Sequence, residues 1–174
     1  MKAHPEQFSA MPHTTLQSLI QYLGQEYYQP AELCCQKVNE CIIEIHGGDN
    51  AQTASLYTTL CKKLTEHVDY YLMLRRDFLQ PYMARESTAK KCDDYCRHQL
   101  QTVSVQIQEL LCQLRGVVPP VPHETHVPDW DSVLHQEIKK LDERLTEMFY
   151  LEQSALVQAM DKTGATDYAD VEFT

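Results

Sequence analysis

The sequence predicts an all-α fold, an up-down-up-down four-helix bundle, and three observations predict it. Apolar residues recur in alternating steps of four and three over long stretches, the mark of helices that bury one face. Glycine is scarce, with five residues against eight prolines in a 174-residue chain that is 43% hydrophobic. Strong breaks then divide the periodic sequence into four stretches joined mainly by short connections, which makes a bundle the economical arrangement.

Residues 1–13 read as an N-terminal extension, 14–162 as the bundle and 163–174 as an acidic tail. The first helix is expected over 14–46, with Leu16, Ile20, Leu23 and Tyr27 as its early stripe. A bend or break is expected near Pro30, because proline lacks a backbone donor and clashes with the preceding turn. Gly47-Gly48-Asp49-Asn50 stops it. A second helix over 51–80 buries Leu60, Leu64, His67, Tyr71, Leu74 and Phe78 and is ended by Pro81. A third over 87–115 shows Cys96, Leu100, Val103, Ile107, Leu110 and Leu114, with Gly116 as its C-terminal cap. Four prolines over 117–128 demand an extended connection. Asp129 or Asp131 then caps a fourth helix reaching residue 162, whose stripe is Leu134, Ile138, Leu141, Leu145, Met148, Ala155 and Ala159.

The formal net charge of −10 argues against a nucleic-acid surface, which would show a basic stripe. No stretch approaches the roughly 18 to 20 apolar residues that cross a membrane. The polar start lacks the apolar segment of a signal peptide, so the chain reads as cytoplasmic. Seven cysteines, an odd number without paired spacing, fit that reading as small core residues rather than a disulfide framework. Cys92, Cys96 and His98 could make a soft metal site only with further ligands.

Two polar residues interrupt the apolar stripes. Glu152 fills the gap between Met148 and Ala155, and a carboxylate buried there must be paired, protonated or bound to a cation. His67 puts an imidazole on the presumed core face of the second helix. Arg75, Arg97 or Arg144 would serve as a partner for Glu152, and His67 would find one in Tyr70 or Tyr71. His46 at a helix end suits the negative pole of the helix dipole, and His98 lies off its helix's main stripe, where it would face solvent. Phosphate-cradling glycine loops, GxSxG elbows and HExxH pairs are absent. The basic pairs Arg75-Arg76 and Lys90-Lys91 have acidic neighbours and read as solvated faces rather than an anion pocket. His123 and His126, flanking Glu124, are loop histidines.

Several phrases together resemble the hemerythrin-like domain of the iron-sulfur cluster repair di-iron proteins. They are Leu19-Ile20-Gln21-Tyr22-Leu23, Ile45-His46-Gly47, Glu66-His67 with Pro81-Tyr82, Arg97-His98 and Leu151-Glu152-Gln153. The resemblance runs from about Leu19 to Leu156. It implies a site for iron built from histidines and two bridging glutamates, and a role in handling nitric oxide, oxygen or iron-sulfur stress. His46, His67, His98 and Glu152 match its metal ligands. Tyr27 or Tyr28, Tyr71 and Met148 stand where the other ligands would be, so three of the seven expected positions are replaced.

The resemblance thus implies a metal ion, with a small diatomic ligand as its partner, held by three imidazoles and one carboxylate. As the alternative, the residues allow a metal-free network in which Tyr27, Tyr28, Tyr71 and Tyr150 hydrogen-bond around Glu152 and the histidines. In that case the chain is a helical module binding a protein or a small molecule. Neither reading assigns a turnover reaction.

Overall fold

The computed structural model describes residues 16–47, 55–84, 93–117 and 129–160. They form α1 (Leu16–Leu23), a π-helical turn (Gly24–Tyr28), α2 (Gln29–Gly47), α3 (Leu56–Ala84), α4 (Asp93–Gly116), α5 (Trp130–Leu151) and a second π-helical turn (Glu152–Leu156). The residues flanking both π turns keep right-handed helical dihedrals. So α1, the first π turn and α2 make one continuous rod, and α5 runs through the second π turn to residue 160. Four rods and no strand among the described residues give the all-α four-helix bundle.

Side-chain links between rods set the alternating direction. Arg76 meets Glu32 at 2.6 Å and Thr65 donates to Asn39 at 3.0 Å, which fixes α3 antiparallel to α2. Tyr28 reaches Glu152 at the far end of the last rod, and Arg115 meets Asp142 between α4 and α5 at 2.5 Å. The closest backbone approaches are α2 with α5, α3 with α4, and α2 with α3. The backbones of α4 and α5 do not come as close as these. Leu23, Val38, Leu64, Val68, Ile107, Leu141 and Leu145 fill the centre.

Several expectations are corrected, each for a local reason. Pro30 does not break the first rod. It follows the π turn, whose wider hydrogen-bond pattern, with Gln29 N–H on the Gly24 carbonyl, relieves the clash with the preceding turn inside a continuous rod. Pro81 lies inside α3, which continues to Ala84. One hydrogen bond is lost there, but the Phe78 and Tyr82 rings pack at 5.9 Å and hold the last turn. Ser55 starts α3 instead of the earlier polar run, its Oγ accepting the Thr58 N–H at 3.1 Å. Gly116 is still helical rather than the residue past the helix end. Asp129 begins α5 through its carbonyl, which accepts from Val133 N–H at 3.1 Å, but its side chain makes no capping bond.

Burial refines the stripes. On α4, Leu111 is buried and Leu110 only half-buried. Beyond the second π turn, Leu156 and Met160 are buried in place of Ala155 and Ala159, because a π turn carries one extra residue and rotates the rest of the helix. Cys34, Cys35, Cys41 and Cys61 are buried free thiols, as expected of small core residues. No helix of the described residues is long and apolar enough to cross a membrane. The segments 1–13 and 163–174, most of the proline-rich connection, Cys92, Lys90-Lys91 and the His123–His126 pair lie outside the described residues.

Candidate functional site

The two π turns come together with α3 at one end of the bundle, and a buried ionic network lies between them. Tyr71 and Arg75 are four residues apart on α3, so they share one face, one above the other. Tyr28 closes the first π turn and Glu152 opens the second. π turns are rare and concentrate at functional sites, and here each delivers one polar side chain to the same point.

Glu152 is 2% exposed and Tyr71 1%. The Glu152 Oε1 accepts from the Tyr28 hydroxyl at 2.8 Å and from Arg75 Nε–H at 3.1 Å. Its Oε2 accepts from Arg75 Nη2 at 2.6 Å and from the Tyr71 hydroxyl. A carboxylate offers about four acceptor positions, and all are taken. Arg75 Nη2 also donates to the Tyr71 oxygen at 2.7 Å, closing a ring of three residues. The Phe149 ring stands edge-on to Tyr71 at 5.3 Å and packs against one side of the network.

The electrostatics agree with the geometry. Burial, then the neighbouring Glu152 charge, push both Tyr28 and Tyr71 well above the ordinary phenol value, so each stays a neutral donor. Burial alone would lower Arg75, but Glu152 and the two phenols outweigh it and hold the guanidinium above its usual value. One fixed cation thus faces one carboxylate, with two neutral phenols completing the shell.

The histidines do not join this network. His46 is exposed at the C-terminal end of α2, where a basic group suits the helix dipole. It stands 18 residues beyond Tyr28 on the same rod, roughly 27 Å at about 1.5 Å per residue. His67 is half-buried rather than facing the core centre, and its Nδ1 donates to the Lys63 carbonyl at 2.7 Å instead of meeting a tyrosine. His98 is exposed. Among the described residues, no group of three or more His, Cys, Asp or Glu side chains converges on a point where an ion would sit.

The other substituted positions separate too. Tyr27 is buried but turns to Tyr22, with ring centroids 6.1 Å apart, and burial together with Tyr22 and Glu147 pushes its phenol up to about 12. Met148 is fully buried in the α5 stripe, one turn before Glu152, and contributes packing. Tyr150, expected in the cluster, faces solvent. Of the three candidate partners for Glu152, Arg75 takes the role, whereas Arg144 lies beside Cys34 on the α2 side.

These residues do not fit a metal in this arrangement. Glu152 has no acceptor position left, and an incoming cation would have to displace Arg75, itself a cation. Of the candidate imidazoles, His46 and His98 are exposed and His67 is committed to a backbone carbonyl.

The structure also shows Gln101, Ser104 and Gln108, which sequence reasoning passed over, beside the already noted Arg97 and Gln153. Arg97, Gln101, Ser104 and Gln108 succeed one another along one face of α4 in steps of four, three and four, and with Gln153 they line a cleft of about 250 Å³ over Arg75 and Glu152. The helical period of this polar series was a readable signal, but such a series ordinarily marks a solvated face. Compared with protein-family models, with curated proteins and with solved structures, the chain matches none.

Proposed function

We propose that this chain is a metal-free helical bundle acting as a binding module, in which a guanidinium stands where the hemerythrin-like resemblance implies an inorganic cation. One observation carries the reading: Arg75, Tyr28 and Tyr71 fill every acceptor position of Glu152. A buried carboxylate needs a counter-charge and hydrogen-bond donors. An iron site supplies the first through a metal; this chain supplies both from its own side chains. Residues that stand in place of expected ligands now make sense as a set. Tyr71 and Tyr28 donate to the surviving carboxylate, and Met148 fills the core. The bundle then serves as a rigid frame, and binding falls to the surfaces and clefts around it.

The test is metal analysis, with an optical spectrum, of protein purified from iron-supplemented cells. The expected result is less than about a tenth of an equivalent of bound metal per chain, against the one or two that an intact site holds. Near-stoichiometric iron that is lost in Glu152→Ala would overturn the reading in favour of an iron-handling protein. Metal-free protein in which Glu152→Ala lowers stability supports it.

A further inference from the structure

Gly24 opens the first π turn, and glycine is a poor choice inside a continuous helical rod. It is less favourable there than alanine because it has more conformational freedom to lose. A left-handed φ, or a neighbour too close for a Cβ, ordinarily explains such a residue. Gly24 has neither: its φ is not left-handed, and a Cβ built on it would meet nothing within 4 Å beyond its own turn. What the missing side chain leaves is space. Ile20, Gly24 and Tyr28 follow one another in steps of four on the first rod and form one wall of a groove, with Arg76, Leu79 and Met83 of α3 as the other.

The lining narrows the ligand. Its base is apolar and fixed, since Ile20, Tyr28 and Leu79 are buried, and Met83, 45% exposed, edges it with a flexible thioether that adapts to what it covers. The only ionised side chains in the lining, Arg76 and Glu32, neutralise each other at 2.6 Å. Neither needs a ligand as its counter-charge. The exposed side-chain amides of Gln29 and Gln80, one from each wall, make no hydrogen bond among the described residues, so each offers a donor and an acceptor. At about 460 Å³ the groove falls within the roughly 300–1,000 Å³ of drug-sized sites.

We infer that this groove binds a neutral small molecule with an apolar body and one hydrogen-bonding end, an amide or an alcohol. The body lies on Ile20, Gly24 and Leu79, and the polar end meets the Gln29 and Gln80 amides. An ion of either sign would give up hydration without finding an unpaired counter-charge. The π turn fits a binding role, because such turns concentrate at functional sites. Tyr28, which closes it, lines the groove while its hydroxyl holds Glu152. The inference rests on the reading of the chain as a binding module and supplies its ligand class; the metal content of Glu152, which lies outside the groove, does not enter it.

The experiment titrates the metal-analysed full chain with para-butylbenzamide, with the matched anion para-butylbenzoate and with the matched cation para-butylbenzylamine, by calorimetry and by amide shifts in NMR. Saturable one-to-one binding of the neutral amide is expected, tighter than that of either ion, with shifts centred on Gly24 and Leu79. Gly24→Leu carries the test, because it grows a side chain into the groove and replaces glycine by a better helix former. The variant should melt at the same temperature or higher and bind the amide about tenfold more weakly, the effect of losing two or more buried methylene contacts. Should leucine disturb the fold, Gly24→Ala, whose Cβ meets nothing, should keep or raise the melting temperature and still weaken binding severalfold. Metal-free, folded protein that does not bind the amide at millimolar concentration overturns this inference and leaves the metal-free reading standing. So does binding that both Gly24 variants leave unchanged, tighter binding of either ion, or shifts centred elsewhere. A chain that sediments as a dimer and dissociates in Gly24→Leu would put a second copy in the groove and overturn it too. Near-stoichiometric iron with the amide still bound would remove the metal-free reading alone.

Discussion

Where Tyr28, Arg75 and Glu152 meet, the bundle buries an ion pair; around Asn39, Tyr57 and Thr65, in its other half, the hydrogen bonds between helices join a hydroxyl to an amide or to an imidazole. There Thr65 donates to Asn39 at 3.0 Å or to the Lys62 carbonyl at 2.9 Å, and Tyr57 bonds His135 Nδ1 at 3.0 Å, among the buried thiols Cys41 and Cys61. The helix geometry differs in step. Both π turns belong to the charged half, whereas α2 and the early turns of α3 and α5 are regular. Neutral groups can be satisfied within a regular helix or by one cross-helix bond. A buried ion pair needs several donors aimed at one point, and the π turns bring Tyr28 and Glu152 to that point while the apolar stripes on either side stay in the core.

The largest break in this contrast should come from Glu152→Ala. It leaves the Arg75 guanidinium buried without its counter-charge, which costs about 3–5 kcal/mol. In a domain of this size, at about 2–4 °C per kcal/mol, the melting temperature falls by roughly 6–20 °C. Denaturant unfolding with an unchanged slope would measure it directly, and a loss below about 1 kcal/mol would show that the pair is not the anchor of its half. Combining Glu152→Leu with Arg75→Met should recover much of the loss, since apolar replacements of whole buried pairs are often neutral.

Glu152 was legible from the sequence because a carboxylate in a hydrocarbon stripe violates the helix's own pattern. Its demand for a partner was legible for the same reason, but the choice among Arg75, Arg97 and Arg144 depended on which helix lies opposite, and single-helix periodicity carries no such information. The same ignorance of neighbours put His67 in the core. On a stripe of 3.6-residue period it shares a face with Leu64 and Tyr71, yet the packed face centres on Val68 and Leu72, which leaves the imidazole at the edge. The π turns were hidden because an extra residue leaves no compositional trace. Their signature was the slip from Ala155 and Ala159 to Leu156 and Met160, both phases being apolar and so indistinguishable before the fold was known.

Alkaline pH tests the network's phenols next. The Tyr28 and Tyr71 phenols are raised in the folded chain, chiefly by burial and then by Glu152, so the folded state keeps protons that the unfolded chain gives up near pH 10. Their contribution is fully present below pH 10 and is lost as pH climbs towards the folded values. Each tyrosine then removes about 1.4 kcal/mol per pH unit. Buried thiols such as Cys61, raised to about 12 by burial, begin the same loss nearer pH 9. Unfolding measured across this range should therefore steepen above pH 10, and the double variant Tyr28→Phe with Tyr71→Phe should flatten that limb in part, the remainder coming from Tyr27 and Tyr57, whose phenols burial also raises. An unchanged limb would mean that the network's phenols titrate as they do in water.

The smallest effect should come from the neutral half, through Thr65→Val. Thr65 is 1% exposed, and valine fills nearly the same volume, so packing is largely kept while the hydroxyl is lost. Neither acceptor is stranded. The Lys62 carbonyl belongs to an α-helical turn, and Asn39 is half-buried beside the groove that it lines with Ile42, Ile43 and Thr58, where water can replace the hydroxyl. Replacement of a neutral hydrogen bond whose partner regains water costs about 0.5–1.5 kcal/mol, and the lower part of that range is expected here. The cost reflects the ability of water to substitute at Asn39, whereas the Glu152 carboxylate that Arg75 would lose sits at 2% exposure. A loss in Thr65→Val equal to that in Glu152→Ala, in parallel denaturant titrations, would erase the distinction between charged and neutral halves and make burial alone the controlling variable.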